Sequence, residues 1–175
     1  MFFDGARHRP MAEHAIPNGR PLGLEVIPLS GDERAILAVN EFHMGLYSAD
    51  GGRRIWDARF DTPAAAYAVV ARDGRLFVYV AKSDGMILAF DMRGKAVRRG
   101  LLEPQLTGIA PIRFGRDLHL VVSSDEGIAL LTPELRPEDR LPFGASTVAP
   151  LDEGKVLAAC DGKVVALTVH GRGPR

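Results

Sequence analysis

The chain has 175 residues, 46% hydrophobic and 25% charged, a balance that lets one domain or one compact repeat array bury a core. Lys and Arg number 22 and so do Asp and Glu, so no overall basic field exists to hold nucleic acid by counterion release. The single cysteine, Cys160, excludes an internal disulfide, and no window approaches the ~18 consecutive apolar residues of a membrane span.

From the N-terminus, Met1 to Pro10 reads MFFDGARHRP. It lacks the long apolar stretch behind a basic start that marks a secretory signal, and we expect a soluble, cytoplasmic protein. A repeat of about forty residues follows. Its first copy runs through Arg34-Ala-Ile-Leu-Ala-Val-Asn40, Gly45-Leu-Tyr-Ser-Ala-Asp50 and Arg53-Arg-Ile-Trp56. The second has Arg75-Leu-Phe-Val-Tyr-Val-Ala81, Gly85-Met-Ile-Leu-Ala-Phe-Asp91 and Lys95-Ala-Val-Arg98. The third has Asp117-Leu-His-Leu-Val-Val-Ser123, Gly127-Ile-Ala-Leu-Leu131 and Asp139-Arg-Leu141. The fourth has Lys155-Val-Leu-Ala-Ala-Cys160 and Gly162-Lys-Val-Val-Ala-Leu167. Gly31, Gly74, Gly115 and Gly154 keep register ahead of the second strand, and Gly45, Gly85, Gly127 and Gly162 ahead of the third.

Each copy reads as four strands joined by turns at Ser30-Gly-Asp, Arg72-Asp-Gly, Ser83-Asp-Gly and Asp161-Gly. Asp-Gly between apolar runs is a strong hairpin signal because both residues tolerate positive φ. Near-continuous runs such as Leu76-Phe-Val-Tyr-Val80 predict burial on both faces. Pro28, Pro111 and Pro150 fall in first strands, which predicts an open edge there. Arg53, Arg54, Arg98, Arg99 and Arg140 fall in fourth strands, where charge protects an exposed outer edge.

The stretches Leu46-Tyr-Ser-Ala-Asp-Gly-Gly-Arg-Arg-Ile-Trp56 and Asp84-Gly-Met-Ile-Leu-Ala-Phe-Asp-Met-Arg-Gly-Lys95 resemble the quinoprotein-type, WD-like β-propeller repeat. The resemblance runs through residues 22 to 170. Only the first copy has the tryptophan, and the third departs at Thr132-Pro-Glu-Leu, which lacks the strand-ending Asp. It implies an all-β fold, an array of about four four-stranded antiparallel blades. Blades are expected at 22–62, 63–104, 105–144 and, in part, 145–170, with a tail at 171–175. No quinone cofactor is expected, because the resembling dehydrogenases are far longer and carry a tryptophan floor and paired cysteines absent here. Residues 1–21 are expected to begin inside a third strand and form a fourth near Met11 to Ile16. That strand would latch the last blade into a four-bladed ring, or join two half-rings in a dimer of eight blades. The alternative is a fragment with frayed ends.

The turns between second and third strands gather Asn40, Glu41, His43, Asp84, Asp125, Glu126 and Asp161. A ring of Glu41, His43, Asp84, Asp125 and Asp161 is a candidate site for a small ligand or a cation. The competing reading makes Asp84 and Asp161 turn residues that bond their own backbone. His8, His14, His43, His119 and His170 make no metal-ligand spacing, and His119, between Leu118 and Leu120, is expected to be a hydrogen-bonded structural histidine. Cys160 is expected to be a buried inert thiol. Arg72, Arg75, Arg93, Arg116, Lys95 and Lys155 alternate with Asp73, Asp91, Asp117, Asp152 and Glu153 at the opposite turns, a mixed solvated surface. Only Phe114 and Trp56 could stack on bases there, so nucleic acid is not the expected partner. No nucleophile elbow, P-loop or dinucleotide fingerprint occurs. The expected function is binding without catalysis, as a scaffold or accessory subunit that engages a protein partner or a second copy.

Overall fold

A computed structural model of the chain describes residues 2–4, 9–12, 19–29, 31–50 and 52–168, and every regular element among them is a β-strand. No helix among them is long and apolar enough to cross a membrane. Backbone contacts divide the chain into two compact units, Met1–Thr62 and Pro63–Arg175.

The first unit opens with β1 (Phe2–Asp4) and β2 (Arg9–Ala12), an antiparallel pair with Phe2 opposite Ala12. The strand expected near Met11 to Ile16 therefore starts at Arg9, and residues 13–18 lie outside the described ones. A four-stranded antiparallel sheet follows in chain order: β3 (Pro21–Pro28), β4 (Arg34–Asn40), β5 (His43–Ser48) and β6 (Arg54–Arg59). Ile27, Ala35, Leu37, Met44 and Leu46 are buried in this unit.

The second unit holds three sheets. The first comprises β7 (Ala64–Arg72), β8 (Arg75–Lys82), β9 (Met86–Asp91) and β10 (Ala96–Leu101). Next come β11 (Leu106–Phe114), β12 (Asp117–Ser124), β13 (Ile128–Leu131) and β14 (Pro137–Leu141). The last has three strands, β15 (Thr147–Asp152), β16 (Lys155–Cys160) and β17 (Lys163–Thr168).

Packing explains the apolar runs. Alternate residues of a strand point to opposite faces. In the middle sheet of this unit, Leu118, Leu120 and Val122 meet Tyr79, Ala81, Ile87 and Ala89 of the preceding sheet. Ala110, Ile112, Val121 and Ile128 face the other way, onto Val148, Val156 and Ala158 of the last sheet. A sheet covered on both sides needs apolar residues at both parities, so its strands read as continuous rather than alternating.

The turns are built as their chemistry requires. Asp73-Gly74 and Asp161-Gly162 both have positive φ at each residue, 49° and 71°, then 48° and 72°, and join directly paired neighbours. These are two-residue hairpins of the primed type. The third-to-fourth turns share another device. Ser48 Oγ accepts from Arg53 N at 3.0 Å, Asp91 Oδ1 from Lys95 N at 2.9 Å, and Thr132 Oγ1 from Arg136 N at 3.3 Å. The apparent departure of the third copy at Thr132 is thus a substitution of one oxygen acceptor for another. Ser30 of the expected first turn lies outside the described residues.

First strands are sheet edges, which accommodates Pro28, Pro111 and Pro150 without breaking an inner ladder. The outer strands β6, β10 and β14 carry Arg54, Arg98, Arg99 and Arg140; Arg53 falls in the turn just before β6. Cys160 is half-buried and packs against the apolar layer of the last two sheets, less enclosed than expected.

Gly85 combines a left-handed backbone with crowding. Its φ is +89°, and an added Cβ would lie 2.6 Å from Leu102 O and 2.7 Å from Glu103 O. Gly74 has φ +71° with open space around it. Gly85→Ala should therefore lose roughly 2 kcal/mol or more, and Gly74→Ala only the ~1 kcal/mol of a left-handed non-glycine residue. Urea titration of both variants checks the difference; equal losses would mean that crowding at Gly85 is relieved by the Leu102–Glu103 backbone.

Candidate functional site

Of the residues singled out at the second-to-third turns, Glu41, Asp84, Asp125, Glu126 and Asp161 lie between the strands, Asn40 ends β4 and His43 opens β5, and the side chains of Asn40, Glu41, His43 and Asp84 are engaged locally. In the first unit, Glu41 bonds Arg20 twice, Oε1 to Nε at 3.1 Å and Oε2 to the backbone N at 3.1 Å. Asn40 Oδ1 accepts from Phe42 N at 2.9 Å, closing the turn. His43 is buried; its Nε2 lies 3.3 Å from Asp57 Oδ2, and its Nδ1 has no hydrogen-bond partner among the described residues.

In the second unit, Asp84 Oδ1 accepts from Met86 N at 3.1 Å and Oδ2 lies 3.3 Å from Lys82 Nζ. The Lys82 side chain is 1% exposed, an ammonium brought to the buried end of a central strand beside a carboxylate. Ion pairs so placed offset the desolvation of the charges, and removal of one partner is costly. In the next sheet the turn is held by Ser124, whose Oγ accepts from Gly127 N at 3.0 Å and Glu126 N at 3.3 Å, leaving Asp125 exposed. Asp161 supplies the positive φ of its hairpin. Among the described residues, no three His, Cys, Asp or Glu side chains gather in an arrangement that could hold a metal ion. Residues Glu41 and His43 belong to one unit, and Asp84, Asp125 and Asp161 to the other.

A larger feature lies at the opposite turns of the second unit. A cleft of about 760 Å³ is lined by Arg72, Arg113, Arg116, Phe114, His119 and Glu138, among others. His119 Nδ1 and Glu138 Oε2 are 2.6 Å apart, and the imidazole meets Phe114 edge-on with centroids 5.1 Å apart. His119 is thus the hydrogen-bonded histidine its sequence position suggests. The Arg113 guanidinium donates to Ala71 O at 2.7 Å. Arg72 donates to Glu134, and Arg98 stands 3.9 Å from the same carboxylate while its guanidinium lies over the Phe77 ring. The hydrogen bond from Arg72 holds the Glu134 carboxyl below its ordinary pKa, and the same bond raises that of Arg72. Tyr79 donates its hydroxyl to Pro133 O at 3.0 Å, and burial pushes its pKa up. These contacts tie the Pro133–Glu134 turn to β7, β8 and β10. The interleaving of Arg72 and Arg116 with Asp73 and Asp117 was legible; the reach of Arg72 across 62 residues to Glu134 was not. His8, His14 and His170 lie outside the described residues.

No family model matches the chain, and no curated protein matches it. Solved structures do. A crystal structure of BBS1N in complex with ARL6DN, soaked with mercury, superposes with a TM-score of 0.68 at 14% identity, over 88% of this chain and 53% of that one. The lead-soaked crystal of the same complex gives 0.64 at 13% identity, over 90% and 59%. The chain spans between half and three-fifths of the length of these structures. The likeness agrees with the antiparallel sheets in establishing the fold as all-β and β-propeller-like.

Asp84→Asn keeps an acceptor for Met86 N but removes the charge beside buried Lys82, and should cost about 2–4 kcal/mol at neutral pH by denaturant titration. A loss within error would mean that Lys82 is held by its other contacts. Glu134 has a depressed folded-state pKa, so its stabilisation is complete above the unfolded carboxylate value and disappears as pH falls through the folded value. Wild type should exceed Glu134→Gln in stability at pH 7, by no more than the ~1 kcal/mol of a partly exposed pair, and the two should converge in acid. A difference that persists undiminished at pH 2 would assign the effect to packing.

Proposed function

We propose that the chain is a non-enzymatic β-propeller-type binding module, acting in the cytoplasm as a scaffold or accessory subunit of a protein complex. The observation that carries this reading is the likeness to BBS1N, a protein crystallised in complex with ARL6DN. Two features support it. Four carboxylates of the candidate turns and the cleft, Glu41, Asp84, Glu134 and Glu138, are engaged by nearby cations or a histidine. In the stretch from Asp84 to Lys95, Asp91 Oδ1 accepts from Arg93 N and Lys95 N, so this carboxylate holds a turn rather than facing a ligand.

A second reading rests on the cleft. Its volume suits a small ligand, with Arg72, Arg113 and Arg116 set among Asp73, Asp117, Glu134, Glu138 and Asp139, and a cation would be sought separately at the Glu41 and His43 turn of the first unit and at the Asp84, Asp125 and Asp161 turns of the second. The two readings separate on native mass. Size exclusion with light scattering on the untagged protein in its own cell lysate should place it in a particle far above twice the 18.9 kDa chain mass. A particle of one or two chain masses would count against the scaffold reading, and a thermal-shift screen with divalent ions and phosphorylated metabolites would then test the cleft and the turns.

A further inference from the structure

β17 does not belong to the class of strands that occupies the same place in the other sheets. The outer strands β6, β10 and β14 are charged: Arg54, Asp57 and Arg59; Arg98 and Arg99; Glu138, Asp139 and Arg140. The third strands β5, β9 and β13, HMGLYS, MILAFD and IALL, lie inside their sheets under those outer strands. β17 reads KVVALT, the composition of a third strand. Yet it is the last strand of its sheet, and among the described residues nothing pairs with its outer edge. Val164 is 71% exposed and Val165 38%. An exposed apolar edge with free backbone donors and acceptors is a template for strand addition, and charge is the usual protection against it. Every other outer edge here has that protection.

We propose that β17 is a dimerisation edge, which pairs antiparallel with β17 of a second copy about a two-fold axis normal to the sheet. Such an axis keeps each face of the sheet on its own side, so Val164 and Ala166 of one copy come beside the same residues of the other. These two residues already stand in register with Ala159 and Leu157 of β16, so the apolar strip continues across the axis. The charge pattern fits a self-complementary edge. The only charge on the strand is Lys163 at its first position. Antiparallel pairing carries the two lysines to opposite ends of the interface, so no like charges face each other. An added strand also buries the flank of a strand whose residues are nearly all exposed, as β6, β10 and β14 do for the third strands before them.

This goes beyond a partner-binding role and is tested apart from it, on purified protein. Light scattering at high micromolar concentration should give twice the 18.9 kDa chain mass. The double variant V164K/A166K, on exposed positions, should run as a monomer with an unchanged far-ultraviolet spectrum, because it sets like charges across the axis. Val165→Cys in a Cys160→Ser background should form a covalent dimer on mild oxidation, because pairing that sets Val164 opposite Ala166 sets residue 165 opposite its own copy. A wild-type monomer would overturn the proposal, and so would a dimer that survives V164K/A166K. If that variant fails to fold, the crosslink decides: a covalent dimer upholds the proposal and its absence removes it.

Discussion

Two-sided burial of the middle sheet of the second unit is the constraint from which the rest of that unit follows. β12 sends Leu118, Leu120 and Val122 to one neighbour and Val121 to the other. A one-residue slip in its pairing would exchange the two sets. Residues shaped for one interface would then meet the other, so register is held from both sides at once. Burial of this kind is worth about 25 cal/mol for each Å² removed from water, and it leaves no solvent face on which polar residues could be placed. Polar chemistry is therefore driven to the strand ends, the turns and the edges, where the charged and hydroxyl side chains of this unit are concentrated.

That displacement accounts for what the turns do. A turn that leaves a buried strand must satisfy its own backbone donors and acceptors, because the strand offers it nothing. Ser124 Oγ takes two backbone N–H groups, Asp91 Oδ1 takes two, and Thr132 and Ser48 take one each. Aspartates spaced at regular intervals along a repeat look like a ring of ligands. Here they serve their turns in different ways: Asp84 accepts from Met86 N, Asp125 stands exposed beside the Ser124 that holds its turn, and Asp161 supplies the positive φ of its hairpin. Asp84 shows both pressures in one residue, with one carboxylate oxygen on the turn and the other beside buried Lys82.

The fold was legible because its signals are local. Glycines with positive φ, Asp-Gly pairs and apolar runs each specify a few adjacent residues, and their recurrence near forty residues multiplies the evidence. The third copy lost the expected Asp at Thr132 and kept the turn, since a hydroxyl can serve the same bond. The site was less legible because its contacts are not local. Glu134 meets Arg72 from 62 residues away, and His119 meets Glu138 only because β12 and β14 flank the same strand. Lys82 gave one signal that could be read. A lysine that ends the run Arg75-Leu-Phe-Val-Tyr-Val-Ala and precedes Ser-Asp-Gly is placed on a central strand, where an ammonium must find a carboxylate.

Edges complete the same logic. A blade-like sheet has two, and this chain treats them differently. First strands are interrupted by proline at Pro28, Pro111 and Pro150, which removes a donor from the edge. Fourth strands are charged, with Arg140 paired to Glu103 and near Glu126. Both devices discourage uncontrolled pairing, and both cost something in ladder hydrogen bonds or desolvation. Six of the eight edges of the four larger sheets carry one of these devices; β7 has no proline, and β17 has no charge beyond Lys163. At β17 the omission leaves Val164 to Leu167 as an apolar outer edge, which a second copy of the strand can extend without setting like charges opposite each other.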